Sequence, residues 1–401
     1  MSVTRNRRFF QGDNLYVGPT PSTGNFFTDI DGNKINDATG NNLIEQLYRV
    51  QSYSYDFNSP KEMVNQLGEL EEIDQVTMTT PTVNLNFNYL LANFENERRL
   101  GFTVDGSTTC IKNILDKTQD DKCYFIRSAP QGIDGVGDTT SDSTVSILGF
   151  GNGYITSYST EGSVGSMPTV SVSVEGLNAL FSEMGTSGYS PSINTDTGLR
   201  LTDTIFELPE ATTNATGTGI YDYKSISVLR PQDITVTITQ ADSPLNSLPT
   251  GAKSTYSTMG ANLATARVQS YSLGFDLSRT AIEGLGSRYA FDREVSYPST
   301  VTFTIDALAG DLNTGSWNDL IECTKVYDVQ VDLKDPSCDP STREVVAQYK
   351  LKNTRMISYS SSMGIGDNQT VNMQFQSSLA GHKTSGSTTN KGLFMSGIVE
   401  A

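Results

Sequence analysis

Arg49-Val50-Gln51-Ser52-Tyr53-Ser54 decides how this chain is read, because the same six residues return as Arg267-Val268-Gln269-Ser270-Tyr271-Ser272, 218 positions later. The register persists beyond the hexapeptide. Phe57 meets Phe275, Leu67-Gly68 meets Leu285-Gly286, Asp74 meets Asp292, and Val83, Leu85 and Phe87 meet Val301, Phe303 and Ile305. An ungapped match of this length marks one unit written twice. Within the unit the period is two. Val50, Ser52 and Ser54 alternate with Gln51, Tyr53 and Tyr55; Val83, Leu85, Phe87 and Tyr89 alternate with Asn84, Asn86 and Asn88; Val301, Phe303 and Ile305 alternate with Thr302, Thr304 and Asp306. Such alternation predicts antiparallel sheets with one buried and one polar face.

Outward from these strands, Met63, Val64 and Leu67 stand at helical spacing before Gly68, which predicts a short helical turn over 60–70 and its counterpart over 278–286. A second short helix is expected over 111–116, matched by 318–322. Further strands are expected over 123–127 and 145–160, and again over 326–333 and 343–361. Here the displacement becomes 201: Ser157-Tyr158-Ser159 meets Ser358-Tyr359-Ser360, Gly165 meets Gly366, and Val170, Val172 and Val174 meet Val371, Met373 and Phe375. A change of displacement between strands places the length difference in a loop. Asn14 to Val17 reads as a leading strand. Residues 234–239, read as a hairpin with 223–228, supply its counterpart at a displacement of 220. The resulting division is an arm with the leading strand (1–46), a first domain (47–184), a Ser/Thr/Gly-rich linker (185–222), a second domain (223–382) and a tail (383–401). The tail carries an apolar patch, Leu393-Phe394-Met395, and is expected to be flexible until something binds it.

The totals narrow the function classes. Lys and Arg number 28 against 45 Asp and Glu, a net charge of −17, which disfavours a surface that grips nucleic-acid phosphates or an anionic membrane. No apolar run approaches the roughly 20 residues that span a bilayer, and the start, Met1 to Arg8, lacks the apolar middle of a signal peptide. A soluble protein made in the cytosol is therefore expected. Cys110, Cys123, Cys323 and Cys338 lack zinc-knuckle spacing, and Cys123 falls opposite Val329 when the halves are aligned; reduced, partly buried thiols are expected. The one histidine, His382, leaves no interior nucleophile–histidine pair. Gly149-Phe150-Gly151-Asn152-Gly153 lacks the Lys and Ser/Thr of a phosphate loop and reads as a bend or bulge within a strand. Glu69, Glu71, Glu72 and Asp74 lose most of their charge in the second half and read as a solvated loop. Trp317 reads as an anchor. Paired carboxylates for glycoside hydrolysis have no positive support.

The Arg267–Ser272 strand, the turn closing on Leu285-Gly286 and the strand opening after Tyr297-Pro298 resemble tail tube proteins of tailed bacteriophages, over roughly 120 to 140 residues in each half. The resemblance implies a mainly β fold: two tandem antiparallel β-sandwich or barrel tube domains with one or two short helices each, plus extended arm, linker and tail. Six tube domains close a ring in that family, so two per chain imply a trimeric, pseudo-hexameric ring, stacked into a tube through which DNA leaves the virion. It further implies a virion structural protein, made in the host cytoplasm, without enzymatic activity or cofactor. Its partners would be itself, tape-measure and tail-end proteins, a sheath as an open alternative, and DNA as passing cargo, with no membrane. Candidate lumen-hairpin and interface residues are Arg49, Gln51, Tyr53, Asn84, Asn86, Arg267, Gln269, Tyr271, Thr302, Thr304 and Asp306. The rival readings are another tandem β-sandwich virion component (adaptor, decoration or adhesion protein) and, behind it, a glycan-active enzyme.

Overall fold

Two strands of 18 residues each set the architecture. The computed structural model describes residues 12–20, 44–129, 145–183, 191–195, 197–200, 208, 228–240, 267–308, 326–336, 344–364, 368–379 and 391–397. In the first half the elements are β1 (Asp13–Pro19), β2 (Glu45–Leu47), β3 (Val50–Asn58), β4 (Glu62–Val64), β5 (Asp74–Val76), β6 (Thr82–Leu90), α1 (Glu95–Leu100) and α2 (Lys112–Leu115). They continue as β7 (Lys122–Ser128), the long β8 (Ser146–Ser163), β9 (Thr169–Gly176), β10 (Asn178–Glu183), β11 (Ile193–Asn194) and β12 (Leu199–Arg200). The second half holds β13 (Ile234–Gln240), β14 (Arg267–Asp276), β15 (Arg279–Ile282), β16 (Asp292–Val295), β17 (Thr300–Leu308), β18 (Tyr327–Lys334), the long β19 (Val345–Ser362), β20 (Thr370–Ser378) and β21 (Gly392–Gly397).

Each long strand serves two layers. Up to Gly153, β8 pairs with β7 and β10; beyond it, β8 pairs with β9 and β14. In the same way β19 pairs with β18 and β21 and then with β20. The change of layer falls at Asn152 (φ 51°) and Asn353 (φ 57°), 201 positions apart and both left-handed. Asparagine tolerates this conformation because its short side chain bonds locally. Beside the first bend, Gly151 lies so close to the Pro191 carbonyl that a Cβ would stand 2.3 Å from the oxygen. The Gly149–Gly153 stretch is therefore a bulged, closely approached bend within a strand.

The pairing pattern of the first half recurs in the second. Tyr53↔Phe87 corresponds to Tyr271↔Ile305, Val83↔Gly176 to Val301↔Ser377, and Tyr158↔Val172 to Tyr359↔Met373. The bulges recur as well, at Gln51 and Gln269 and at Thr156 and Ile357. Between the layers lies a core that is continuous across both halves, with Val83, Leu85 and Phe87 over Tyr124 and Ile126, and Val301, Phe303 and Ile305 with Val329 and Val331. Ring contacts cross it at Phe87–Tyr124 (6.3 Å) and Tyr327–Phe375 (5.8 Å). The chain is thus a mainly β, antiparallel sandwich with few helices.

Several expectations change. The helical turn over 60–70 is the β4–β5 hairpin, Glu62↔Val76 to Val64↔Asp74, and 278–286 opens the β15–β16 hairpin. Gly68 (φ 99°) and Gly286 (φ 91°) reverse a hairpin loop rather than cap a helix; a left-handed glycine serves either purpose. Because Gln51 bulges, Val50 shares the core side with Tyr53 and Tyr55. By pairing with the long strands, Ile126↔Leu148 against Val331↔Tyr349, β7 and β18 stand 205 apart, and Leu15↔Ile126 against Val236↔Val331 then sets the leading strands 221 apart. Each is one residue from the sequence alignment, which exchanges the faces of those strands and sets Cys123 against Asp328. Residues 392–397 of the expected tail form β21, with Leu393, Phe394 and Met395 buried. The α2 helix matches 111–116. Its counterpart at 318–322, most of 223–228, Trp317, His382, Cys323 and Cys338 lie outside the described residues.

Removing residues 391–401 strips three fully buried side chains, each worth about 1.5–3 kcal/mol of burial, from a fold with a total stability of roughly 5–15 kcal/mol. The truncated chain should lose its cooperative urea transition, and Leu393→Ala alone should lower unfolding free energy by about 2–5 kcal/mol.

Candidate assembly surface

β14 closes on β8 in an antiparallel joint running from Ser270↔Ser163 to Asp276↔Ser157, extended by Val164 N–H to the Gln269 carbonyl (2.8 Å) and Leu277 N–H to the Thr156 carbonyl (2.7 Å). The joint fuses the halves into one run of eight strands, β19-β20-β17-β14-β8-β9-β6-β3. Leu273 and Phe275 are buried beneath it. Phe275 stacks on Tyr158 (5.4 Å) and meets the edge of Phe102 (6.0 Å). Gly162 is needed for space, since a Cβ there would stand 2.6 Å from the Tyr271 ring.

The β15–β16 hairpin holds this joint from the side. Arg279 donates two hydrogen bonds to Asp120 (2.9 and 2.5 Å), with both side chains almost wholly buried, and its guanidinium lies 4.9 Å from the Tyr154 ring. Lys117 pairs with Asp292 and Arg293 with Glu175. Burial drives the Asp120 carboxyl above its ordinary pKa, and Arg279 offsets part of that rise. At the other end of the sandwich, β21 is stitched to the first half by Gly106 N–H to the Met395 carbonyl (2.8 Å) and Cys110 N–H to the Leu393 carbonyl (2.9 Å).

Beneath the joint, Glu97 on α1 is fully buried and accepts hydrogen bonds from Tyr89 (2.7 Å) and Tyr158 (3.0 Å); the Tyr158 hydroxyl reaches Tyr349 of the second half at 2.7 Å. Desolvation lifts the Glu97 pKa to about 7, although the tyrosine hydroxyls pull the other way. Burial likewise raises Asp121 to about 6, against its bonds from Thr20 and Asn152. Cys110 and Cys123 are free, buried thiols. Burial pushes Cys123 up to about 12 and Cys110 higher still, which suits inert core residues rather than nucleophiles. Among the described residues no group of His, Cys, Asp and Glu could hold a metal ion, and no helix is long and apolar enough to cross a membrane.

The candidates from sequence fall in three places. Asn84 and Asn86 on β6 and Thr302, Thr304 and Asp306 on β17 stand on the side opposite the core. Asn84 donates to Asp56 (2.9 Å), and Asp306 accepts from Ser270 (2.7 Å) and Asn372 (2.6 Å). Tyr53 and Tyr271 stand on the core side, Tyr53 donating to Asp13 (2.9 Å) and Tyr271 lying 3% exposed at the joint. Gln51 and Gln269 are the bulge residues, Arg49 is left-handed (φ 61°) with its carbonyl receiving the Leu90 N–H, and Arg267 begins β14. Sequence reasoning missed Glu97, Asp120 and Arg279. A charged stretch such as Glu95-Asn-Glu-Arg-Arg99 normally signals a solvated face, and no local spacing links Asp120 to Arg279.

Alternation across the eight strands gives the polar side Ser, Thr, Asn and Gln, with carboxylates at Asp56, Glu161, Glu175, Asp276 and Asp306 and an exposed arginine, Arg355, opposite Gln376. An open hollow of about 570 Å³ lies there over the joint, lined by Ser157, Ser159, Ser272, Thr302 and Thr304. Among the described residues, the outer edges of β3 and of the 355–362 part of β19 have no partner strand.

No protein-family model and no curated protein matches the chain. Among solved structures, one described as "Crystal structure of Hcp protein" is similar over 41% of this chain and 98% of that chain, at 10% sequence identity and a TM-score of 0.21, a likeness too slight to bear on function.

Arg279→Ala leaves Asp120 buried without its cation and should cost about 3–5 kcal/mol in chemical denaturation. A carboxyl whose folded pKa is raised keeps its proton longer in the folded state, so its stabilising contribution is full below the ordinary value of about 4.5 and lost as pH rises to about 7. Glu97→Gln should therefore flatten the fall of unfolding free energy between those pH values, leaving the smaller slope due to Asp121.

Proposed function

We propose that this chain is a tube-forming structural protein, whose copies join edge to edge into rings that stack around a lumen. The observation that carries this reading is the eight-stranded run with two unlike open ends. A long strand edge is a standing invitation to further pairing, and closing the sheet on itself removes it. The ends differ, so copies meet head to tail, and head-to-tail contacts give rings when the rotation closes and filaments when it does not. The resemblance to tail tube proteins supports closure by three chains, with tape-measure and tail-end proteins as further partners and the phage tail as the location.

The polar side of the run suits a lumen for DNA. Its hydroxyls and amides offer phosphates few cations, with Arg355 near the outer edge of β19, and its carboxylates repel them, so a duplex would pass with little of the counterion release that makes protein–DNA contacts sticky.

Negative-stain electron microscopy of the purified chain should show rings or tubes of pseudo-sixfold outline; a monomer that persists at high concentration would overturn the reading. In assembled particles, Asn86→Lys with Ser171→Lys, both exposed on the polar side, should slow DNA release at least several-fold, most strongly at low salt.

A further inference from the structure

The two halves build the same unit, yet equivalent residues are covered in one and bare in the other. Leu273 and Phe275 are 1% and 4% exposed beneath the joint, whereas their counterparts 218 positions earlier, Tyr55 and Phe57, are 45% and 62% exposed. Tyr158 is fully buried; Tyr359, 201 positions later, is half-buried. Met395 on β21, opposite Tyr349, is buried under the first half, whereas Phe181, opposite Leu148 in the corresponding place on β10, is 68% exposed. One joint is completed inside the chain, and its two complementary parts are left bare at the ends. Monomeric proteins seldom expose aromatic residues in a row along a strand edge.

We infer that the β3 edge of one copy docks on the 355–362 edge of β19 in the next copy, in the register of the internal joint. Shifting the β14 partners back by 218 and the β8 partners forward by 201 sets Ser54 opposite Ser362, Asp56 opposite Ser360 and Asn58 opposite Ser358. Phe57 then stacks on Tyr359 of the next copy as Phe275 stacks on Tyr158. The inference rests on the tube-forming reading and specifies its contact. The bare β4–β5 hairpin, with Met63 67% and Ile73 52% exposed, takes the place that β15–β16 holds inside the chain. The charged clamp is repeated only in part: Lys61 takes the place of Arg279 and Asp74 that of Asp292, whereas Gln75 and Gln376 replace the ion pair of Arg293 with Glu175. The joint between copies accordingly lacks that ion pair of the internal one.

Gln269 with Val164 and Leu277 with Thr156 bond through their backbones, so the Gly274–Ser159 pair between them, and by transfer Asp56–Ser360, is of the non-hydrogen-bonded kind. Its Cα atoms lie about 4.5 Å apart, within disulfide range. The full-length chain carrying Asp56→Cys and Ser360→Cys, with Cys323→Ser and Cys338→Ser, should on mild oxidation form a reducible covalent ladder ending at a closed oligomer. The displaced pairs Asp56→Cys with Ser358→Cys and Asp56→Cys with Ser362→Cys should not. Phe57→Asp should weaken assembly at least tenfold by sedimentation while leaving the melting transition in place, since the internal joint is untouched. Assembly with cross-linking only in a displaced pair overturns the register and leaves the tube reading standing. Cross-linking of the Asp56→Cys site to a foreign protein overturns the second copy as occupant. A chain that stays monomeric overturns both.

Discussion

A strand edge cannot be left alone. Its backbone donors and acceptors point outward in a row, and they are satisfied by another strand, by water or by a cover. In this chain the β14–β8 joint answers that constraint once, and the rest of the structure depends on how it does so. Because β8 is long enough to reach from the outer layer into the eight-stranded run, closing the joint also brings Phe275 onto Tyr158 and Phe102, and Tyr349 within hydrogen-bond reach of Tyr158. The hydrophobic core is then common to both halves. Hinging between them would break backbone bonds and open the core at the same time, so the pair behaves as one body.

The polar groups inside that body are specific to the joint. Arg279 with Asp120 spans the halves at a buried point, and Glu97 gathers the hydroxyls of Tyr89 and Tyr158, the second of which meets Tyr349 of the other half. Groups of this kind contribute little net stability and strongly penalise misplacement, because a displaced partner leaves a buried charge uncompensated. They define which strand meets β8, whereas the apolar faces would accept many.

What was legible in the sequence was whatever repeats at short range. Val83, Leu85 and Phe87 against Asn84 and Asn86 revealed the strand and its faces, and the two displacements, 218 and 201, match the strand pairings. Illegible were features in which one local signal serves two structures. Gly68 ends a hairpin loop as readily as a helix. The bulge at Gln51 moved Val50 to the side of Tyr53, and a one-residue slip in the weak alignment of the leading strands exchanged their faces. Leu393-Phe394-Met395 lay in a Ser/Thr/Gly-rich setting that reads as mobile chain, and only its long-range pairing with β19 and Gly106 shows it to be core. Of the candidate surface, the Asn and Thr positions of β6 and β17 could be read directly, whereas the buried ionic groups could not, since nothing local links them.

Ser163 and Ser270 face each other across the joint, although 107 positions separate them along the covalent chain. The edge that β14 seeks on β8 is the kind of edge that β19 displays, and β3 is the kind of strand that β14 is. What makes one meeting internal is effective concentration: a tethered strand samples the nearby edge at a local concentration that free copies in dilute solution do not reach. Order of assembly is thereby built into the connectivity, each chain sealing its own seam before it meets another. Were that tether too short to span the seam, the same strands would be exchanged between copies, and the same wall would be divided among chains at different places.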